Sequence, residues 1–111
     1  MRRKSVVRRR AARQDIGAIS RYYDREAGRD VAVGFLSAVE QAVTFLADRP
    51  EAGSPRLSDL LGIAGLRSRP IARFPYLLFY FVAENRIEVA RVLHSKSDIL
   101  NVLKVEFGPD G

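Results

Sequence analysis

The chain has 111 residues, 47% of them hydrophobic, which suffices for one domain around a single core. It has no cysteine and one histidine, so a disulfide framework and a zinc site built on Cys/His pairs are excluded, and we expect no metal or other cofactor. The most apolar stretch, residues 74–83, is about half the length of the roughly 20 residues that cross a bilayer. No apolar signal core follows the N-terminal arginines. We therefore expect a cytoplasmic protein with no membrane partner.

The net charge of +6 is distributed unevenly along the chain. Residues 1–13 carry seven cations and no acid, residues 14–48 carry three cations and six acids, and residues 49–104 carry nine cations and five acids. An anionic partner should therefore meet the N-terminal segment or the C-terminal half. The N-terminal cluster is typical either of a nucleic-acid arm or of a solvated end. Its members are Arg2, Arg3, Lys4, Arg8, Arg9 and Arg10.

A β-prone segment at residues 5–7 predicts an edge strand, and two amphipathic helices follow it. The first helix ends at Gly28, and its apolar stripe is Ala12, Ile16, Ile19 and Tyr23. The second begins with Asp30 as its N-cap and is stopped by Pro50 and Gly53. Its apolar face is Ala32, Phe35, Leu36, Val39, Ala42, Val43 and Leu46. So short a linker predicts an antiparallel helical hairpin whose apolar stripes face a sheet.

The C-terminal half shows strand patterns. Residues 49–64 form a loop with one helical turn, after which period-two alternation predicts a strand that ends or bulges at Pro70. The continuously apolar residues 76–82 predict a central strand that is buried on both faces. A hairpin turn at residues 84–86 leads into the last strand, residues 87–94.

The last strand places a charge among apolar residues. In a regular strand, alternate residues share a face, which groups Ile87, Val89, Arg91 and Leu93. The other face then carries Glu88, Ala90, Val92 and His94. Arg91 therefore requires either a partner or a bulge that turns it outward.

The tail predicts a short helix over residues 98–107, capped near Ser97 or Asp98. The whole pattern predicts a single α+β domain that spans residues 1–111, with its elements in the order β-α-α-β-β-β. In this domain a helical hairpin packs on a small antiparallel sheet, and a short C-terminal tail or helix follows. We expect residues 1–4 and 108–111 to be flexible.

Three groups of residues carry a pattern that is specific in its order and spacing. The first is Ala12-Arg13-Gln14-Asp15-Ile16 with Ile19 and Tyr22-Tyr23. The second is Phe35-Leu36, Leu46, Pro50 and Gly53 with Gly65-Leu66-Arg67-Ser68. The third is Phe74-Pro75-Tyr76, Phe79-Tyr80 and Arg91-Val92-Leu93-His94 with Asp98-Ile99. Together they resemble the ParE/RelE superfamily of bacterial toxin–antitoxin toxins, and the ParE branch more closely.

The resemblance implies the same β-α-α-β-β-β fold and the toxin role in a type II toxin–antitoxin system of the kind used in plasmid stabilisation. Such a toxin is neutralised by a small cognate antitoxin that wraps over it in an oligomeric complex. ParE-like toxins inhibit growth by poisoning DNA gyrase, which requires no chemistry by the toxin, and this is our leading interpretation. RelE-like toxins are ribosome-dependent mRNA endonucleases, which is the alternative. A degenerate, non-toxic antitoxin-binding module is a further alternative.

An enzymatic role is uncertain and disfavoured by the residues available. Cleavage of RNA needs cations beside a group that moves protons, and arginine supplies only the cation. His94, Lys96 and the tyrosines are the candidate proton carriers, but no tyrosine occurs after Tyr80. If the chain is a nuclease, its catalytic residues would be Arg69, Arg91 and His94.

Four arginines on the predicted meander form the candidate binding surface. Arg67, Arg69 and Arg73 enter or flank its first strand, and Arg91 lies on its last. Each alone could solvate an exposed face or pair with a nearby acid. As a group they suit either the carboxylates of an acidic antitoxin or phosphates, with nucleic acid the less favoured partner. We predict them as antitoxin- or target-binding residues.

Overall fold

The computed structural model describes residues 3–109. Its elements in chain order are β1 (Ser5–Arg8), α1 (Arg10–Ala27), α2 (Arg29–Asp48), α3 (Arg56–Leu61), β2 (Leu66–Pro70), β3 (Tyr76–Val82), β4 (Arg86–His94) and α4 (Ile99–Phe107). The α+β class, the helical hairpin and the C-terminal helix are confirmed. The helical turn predicted inside the long loop is α3.

The sheet has four strands in the order β1-β4-β3-β2. β2, β3 and β4 form the predicted antiparallel meander, whereas β1 pairs with β4 in parallel, with Val6 opposite Ile87. The sheet is therefore mixed rather than purely antiparallel. Alternating residues reveal a strand but not the direction of the neighbour it will join.

The two long helices follow each other with only one residue between them. Gly28 adopts φ +98°, a conformation that glycine reaches without a steric penalty, and it caps both helices. Asp30, predicted as the N-cap, instead lies in the first turn of α2. A carboxylate there still interacts favourably with the positive end of the helix dipole.

The sheet separates two apolar clusters, which we call the hairpin face and the α4 face. On the hairpin face, α1 and α2 pack against Leu78, Tyr80, Ile87 and other residues of the sheet. On the α4 face, Leu103 packs with Phe79 and its neighbours. Consecutive residues of β3 are fully buried because they point alternately into the two clusters, which confirms the predicted burial on both faces.

α2 is the long apolar element of the chain, with 20 residues and a mean hydropathy of 1.4. That length and composition are sufficient for a membrane span, and the sequence prediction considered only the shorter apolar stretch at 74–83. In the structure Phe35, Val39 and Leu46 of this helix are buried in the core on the hairpin face. α2 is thus a core helix of the domain.

β4 contains a bulge at Ala90, because Val89 pairs with Tyr80 while Arg91 pairs with Phe79. The extra residue reverses the side to which the following residues point. Arg91 and Leu93 therefore lie on the α4 face, opposite Ile87 and Val89. The four residues do not share one face as they would in a regular strand. The prediction that Arg91 requires a partner or a bulge is confirmed, since the structure has both.

The ends of the chain are partly held by contacts. The Lys4 N–H donates to Ala47 O at 3.1 Å, and Arg3 Nε lies 2.8 Å from Asp48 Oδ1. Near the other end, the Gly108 N–H donates to Lys104 O at 2.9 Å. Residues 1–2 and 110–111 lie outside the described part of the chain, and the predicted flexibility of the two ends stays a prediction.

A buried tyrosine fastens the loop after α2 to the sheet. The Tyr80 hydroxyl accepts a hydrogen bond from the Gly53 N–H and donates one to Pro50 O, both at 2.8 Å. A Cβ atom on Gly53 would lie 2.4 Å from the Tyr80 oxygen, so glycine is required at this contact. Burial raises the pKa of Tyr80, which keeps the hydroxyl available as a donor.

We predict that Tyr80→Phe lowers the free energy of unfolding by about 1 to 3 kcal/mol, because the buried Gly53 N–H and the partly buried Pro50 carbonyl lose their partner. Urea denaturation measures the change. Tyr22→Phe is the control, since that side chain is 48% exposed. Equal unfolding midpoints for the two variants would contradict the prediction.

Candidate functional site

Arg67 lies on β2 with its side chain turned toward the loop after α2. Its Nη1 donates to Gly53 O at 2.7 Å and to Glu51 O at 3.0 Å. This is the same loop that the Tyr80 hydroxyl holds. Arg67 therefore has donors committed within the chain, although the sequence pattern grouped it with the binding residues.

The guanidinium groups of Arg69 and Arg49 both lie over the ring of Phe45. The guanidinium carbon of Arg69 lies 3.8 Å from the Phe45 ring centroid, and that of Arg49 lies 5.0 Å from it. Neither guanidinium forms an ion pair or a hydrogen bond with any residue in the range 3–109. Arg49 was not predicted, and its only sequence signal is a cation four residues after an aromatic residue on a helix.

Two hollows meet beside Phe45. One, of about 210 Å³, lies between α2 and the end of β2, and the other, of about 380 Å³, runs along the outer side of α2. Gln41 and Phe45, one turn apart on α2, line both hollows and lie between them. We call the hollow between α2 and the end of β2 the α2–β2 trough; it is lined by Ala38, Gln41, Ala42, Phe45, Arg69, Pro70 and Ala72.

Arg73 lies in the turn between β2 and β3, and it is exposed. Its φ of +71° is in the left-handed region, which is strained for a residue with a side chain. Within the described range its side chain has no hydrogen bond or ion pair. It remains available to a partner, outside the trough.

Arg91 is already paired within the chain. Its Nε and Nη2 donate to the two carboxylate oxygens of Asp15 at 2.7 and 2.9 Å, and its Nη1 donates to Glu106 at 2.6 Å. The hydrogen bonds that Arg91 donates to Asp15, the largest cause, and to Glu106 raise the pKa of Arg91. Since its side chain is only 20% exposed, an incoming carboxylate would have to displace two others.

His94 holds the turn that follows β4. Its Nδ1 accepts a hydrogen bond from the Lys96 N–H at 3.0 Å, and its carbonyl accepts one from the Ser97 hydroxyl at 2.6 Å. The ring meets that of Tyr76 edge-on, with centroids 5.1 Å apart. Burial, followed by the neighbouring Tyr23, raises the pKa of Tyr76.

The three residues named for a nuclease do not come together on one side of the sheet. Arg69 pairs with Leu78 and His94 pairs with Tyr76, which places both on the hairpin face. Arg91 pairs with Phe79 on the α4 face. No group of three or more His, Asp or Glu residues in the described chain is arranged to hold a metal ion.

Much of the N-terminal cation cluster is neutralised by acids of the domain. Arg3 pairs with Asp48, Arg8 with Glu40 and Arg9 with Glu88. Arg9 and Arg86 hydrogen-bond to Glu88 and lower its pKa. Arg2, which was grouped with this cluster, lies outside the described residues. The described part of the cluster is thus mainly a set of ion pairs on the domain surface.

We predict that Asp15→Asn lowers the free energy of unfolding by about 1 to 3 kcal/mol, because Arg91 loses its bidentate, charge-assisted partner. Glu106→Gln is the matched control, since it also removes one carboxylate from Arg91, but a more exposed one that makes a single bond. We expect it to cost under about 1 kcal/mol. A larger loss for Glu106→Gln in urea denaturation would contradict this ranking.

Comparison with known proteins agrees with the fold described above. The chain is similar to one in the solved structure of the chromosomal ParDE TA system from P. aeruginosa, with a TM-score of 0.69 and 22% identity, over 82% of this chain and 95% of that chain. At this identity the likeness concerns the fold alone. A search of curated proteins finds no match. The family model of the ParE toxin of type II toxin-antitoxin system, parDE, matches residues 6–99, from β1 to the start of α4, and the chain therefore belongs to the ParE toxin family.

Proposed function

We propose that this ParE-family protein is a growth inhibitor that acts in the cytoplasm by binding DNA gyrase, without a chemical step of its own, and that a cognate antitoxin neutralises it. Family membership supports the toxin role. The observation that carries the choice of mechanism is the separation of Arg91 from Arg69 and His94 across the sheet.

Cleavage of a phosphodiester needs its cation and its proton carrier at the same phosphate. Arg69 and Arg91 lie on strands separated by β3, and their guanidinium groups are held at different places: Arg69 lies over Phe45, and Arg91 is bound between Asp15 and Glu106. This arrangement does not direct the two groups at one phosphate. The charge of Arg91 is also balanced by Asp15 and Glu106. Binding to a protein target requires none of these conditions.

One observation favours the alternative of a RelE-like mRNA endonuclease. The rings of His94 and Tyr76 meet edge-on with their centroids 5.1 Å apart, although burial raises the pKa of Tyr76 and so makes its hydroxyl a poorer proton donor near neutrality. Two groups able to exchange protons are therefore adjacent at the end of β4. Arg73, in the turn before Tyr76, is an exposed arginine near this end of the sheet, but within residues 3–109 it has no hydrogen bond, ion pair or stacking contact with either ring. We therefore keep this function second.

We predict that induced expression arrests growth with an SOS response and that the purified protein stalls supercoiling by gyrase. His94→Ala should inhibit supercoiling as the parent does, because within residues 3–109 the ring hydrogen-bonds its own turn and packs on Tyr76. Growth curves and a supercoiling assay measure both effects.

Other outcomes would separate the alternatives. Normal supercoiling with cleaved transcripts in primer extension, abolished by His94→Ala, would replace the proposal with the endonuclease. Tight association with an antitoxin and no growth arrest would identify a degenerate binding module. Either result would overturn gyrase as the target.

A further inference from the structure

We infer that the turn between β2 and β3 presents Arg73 to an acidic group on the surface of the protein target, so that the chain contacts its target at this turn. The inference rests on the proposed function, which requires a protein target, and it adds the place and the charge of the contact. We call residues 71–74 the Arg73 turn.

The Arg73 turn has a backbone that favours glycine. The Phe74 N–H donates to Ile71 O at 3.3 Å, which closes a four-residue turn with Arg73 in its third position. A positive φ at that position is typical of a type II turn, in which glycine or asparagine is the usual residue. Arg73, at +71°, is the one residue other than glycine with a positive φ in the range 3–109. An arginine here therefore carries a steric cost that glycine would avoid.

The side chain of Arg73 makes no contact within the described residues that offsets this cost. It is exposed, and within the range 3–109 its guanidinium has no hydrogen bond, ion pair or aromatic stacking contact. A strained residue without an internal contact is typical of a binding or catalytic site, where an external partner supplies the contact. The strain at Arg73 therefore indicates a binding role.

The backbone of the Arg73 turn is held in place by the domain. The Ile71 N–H donates to Tyr76 O at 3.0 Å. The ring of Phe74 packs edge-on against those of Phe35 and Tyr23, with centroids 5.4 and 5.3 Å away. A fixed backbone at the base of an arginine reduces the conformational freedom that is lost when the side chain binds.

A second turn beside the Arg73 turn carries another cation. The Ser95 N–H donates to Pro75 O at 2.8 Å, so the turn after β4 lies against the start of β3. Lys96 in that turn is exposed, and its side chain has no ion pair within the described part of the chain. Cations on two adjoining turns give this end of the sheet a positive surface that complements an acidic group.

Charge around the two turns favours a protein over a nucleic acid as the partner. Asp98 is exposed two residues after Lys96 and has no ion pair among residues 3–109. A phosphate backbone that crosses both turns would bring its repeated negative charge close to this carboxylate. A protein surface can instead place a single carboxylate at Arg73, and arginine is enriched in protein interfaces.

Arg73→Asn separates a binding role from a structural one. Asparagine adopts a positive φ more readily than arginine, so we expect the midpoint of urea denaturation to rise. Arg56→Asn is the matched control, since Arg56 is also exposed and has no ion pair within residues 3–109, but its φ is not positive. We expect no rise in the midpoint for this control.

Activity is then compared in growth curves after induced expression and in a supercoiling assay with purified gyrase. We expect Arg73→Asn to relieve the growth arrest and to raise the protein concentration that halves supercoiling by about tenfold or more. Arg56→Asn should change that concentration by less than about threefold. Fluorescence anisotropy with a labelled DNA duplex, in the absence of gyrase, should show no binding that depends on Arg73.

Full growth arrest by Arg73→Asn, or equal losses of activity in the two variants, would overturn the inference. A loss of activity accompanied by a lower urea midpoint would also overturn it, because the arginine would then be structural. Binding of the DNA duplex that depends on Arg73 would assign the turn to phosphate and reject the acidic protein surface.

Growth arrest is measured independently of the identity of the target. Arrest that requires Arg73 but leaves supercoiling unaffected would reject gyrase and retain the turn as the target contact. Supercoiling stalled equally by the parent and by Arg73→Asn would retain gyrase and reject the turn. Absence of arrest by the parent would overturn both.

Discussion

The carboxylate of Asp15 joins α1 to the sheet at the point where β1 stops. β1 covers the edge of β4 only as far as Val89, so the next outward N–H, that of Val92, would lack a partner. Asp15 accepts a hydrogen bond from it at 2.9 Å and binds the Arg91 guanidinium with both oxygens. Arg91 also binds Glu106 of α4, so one ion-pair network connects the helical hairpin, the central strand and the C-terminal helix. Because desolvation offsets much of the attraction in such a pair, its main effect is to specify how these elements meet.

The same network changes how the positive charge of the chain is understood. A net charge of +6 suggests a polyanion as the partner. In the folded domain several cations, including Arg8, Arg9 and Arg91, are neutralised by acids from distant parts of the sequence. Arg49 and Arg69 are held by an aromatic ring instead, so their charge remains available. The charge that a partner of the domain would meet is therefore the charge left unpaired in the fold, rather than the total charge.

Much of the fold could be predicted because burial imposes a period on each element. The four-, three- and four-residue spacing from Ala12 to Tyr23 predicted α1, and the unbroken apolar run predicted β3 as a strand with both faces covered. The order and spacing of particular residues also indicated the ParE family, which the family model confirms. Of the candidate site, the sequence located Arg69 on the first strand of the meander but did not indicate what it contacts.

By itself, then, the sequence determined which segments are helix or strand and which family the chain belongs to, since these depend on local periodicity and on residues in fixed order. Only the tertiary structure decided the parallel pairing of β1, the bulge at Ala90 and the partners of each arginine. Arg91 meets Asp15 across 76 positions of the chain, and Arg69 reaches Phe45 from another element. Such contacts depend on how the elements pack against one another. A local pattern indicates which face of its own strand or helix a side chain occupies, but not which residue of another element it contacts.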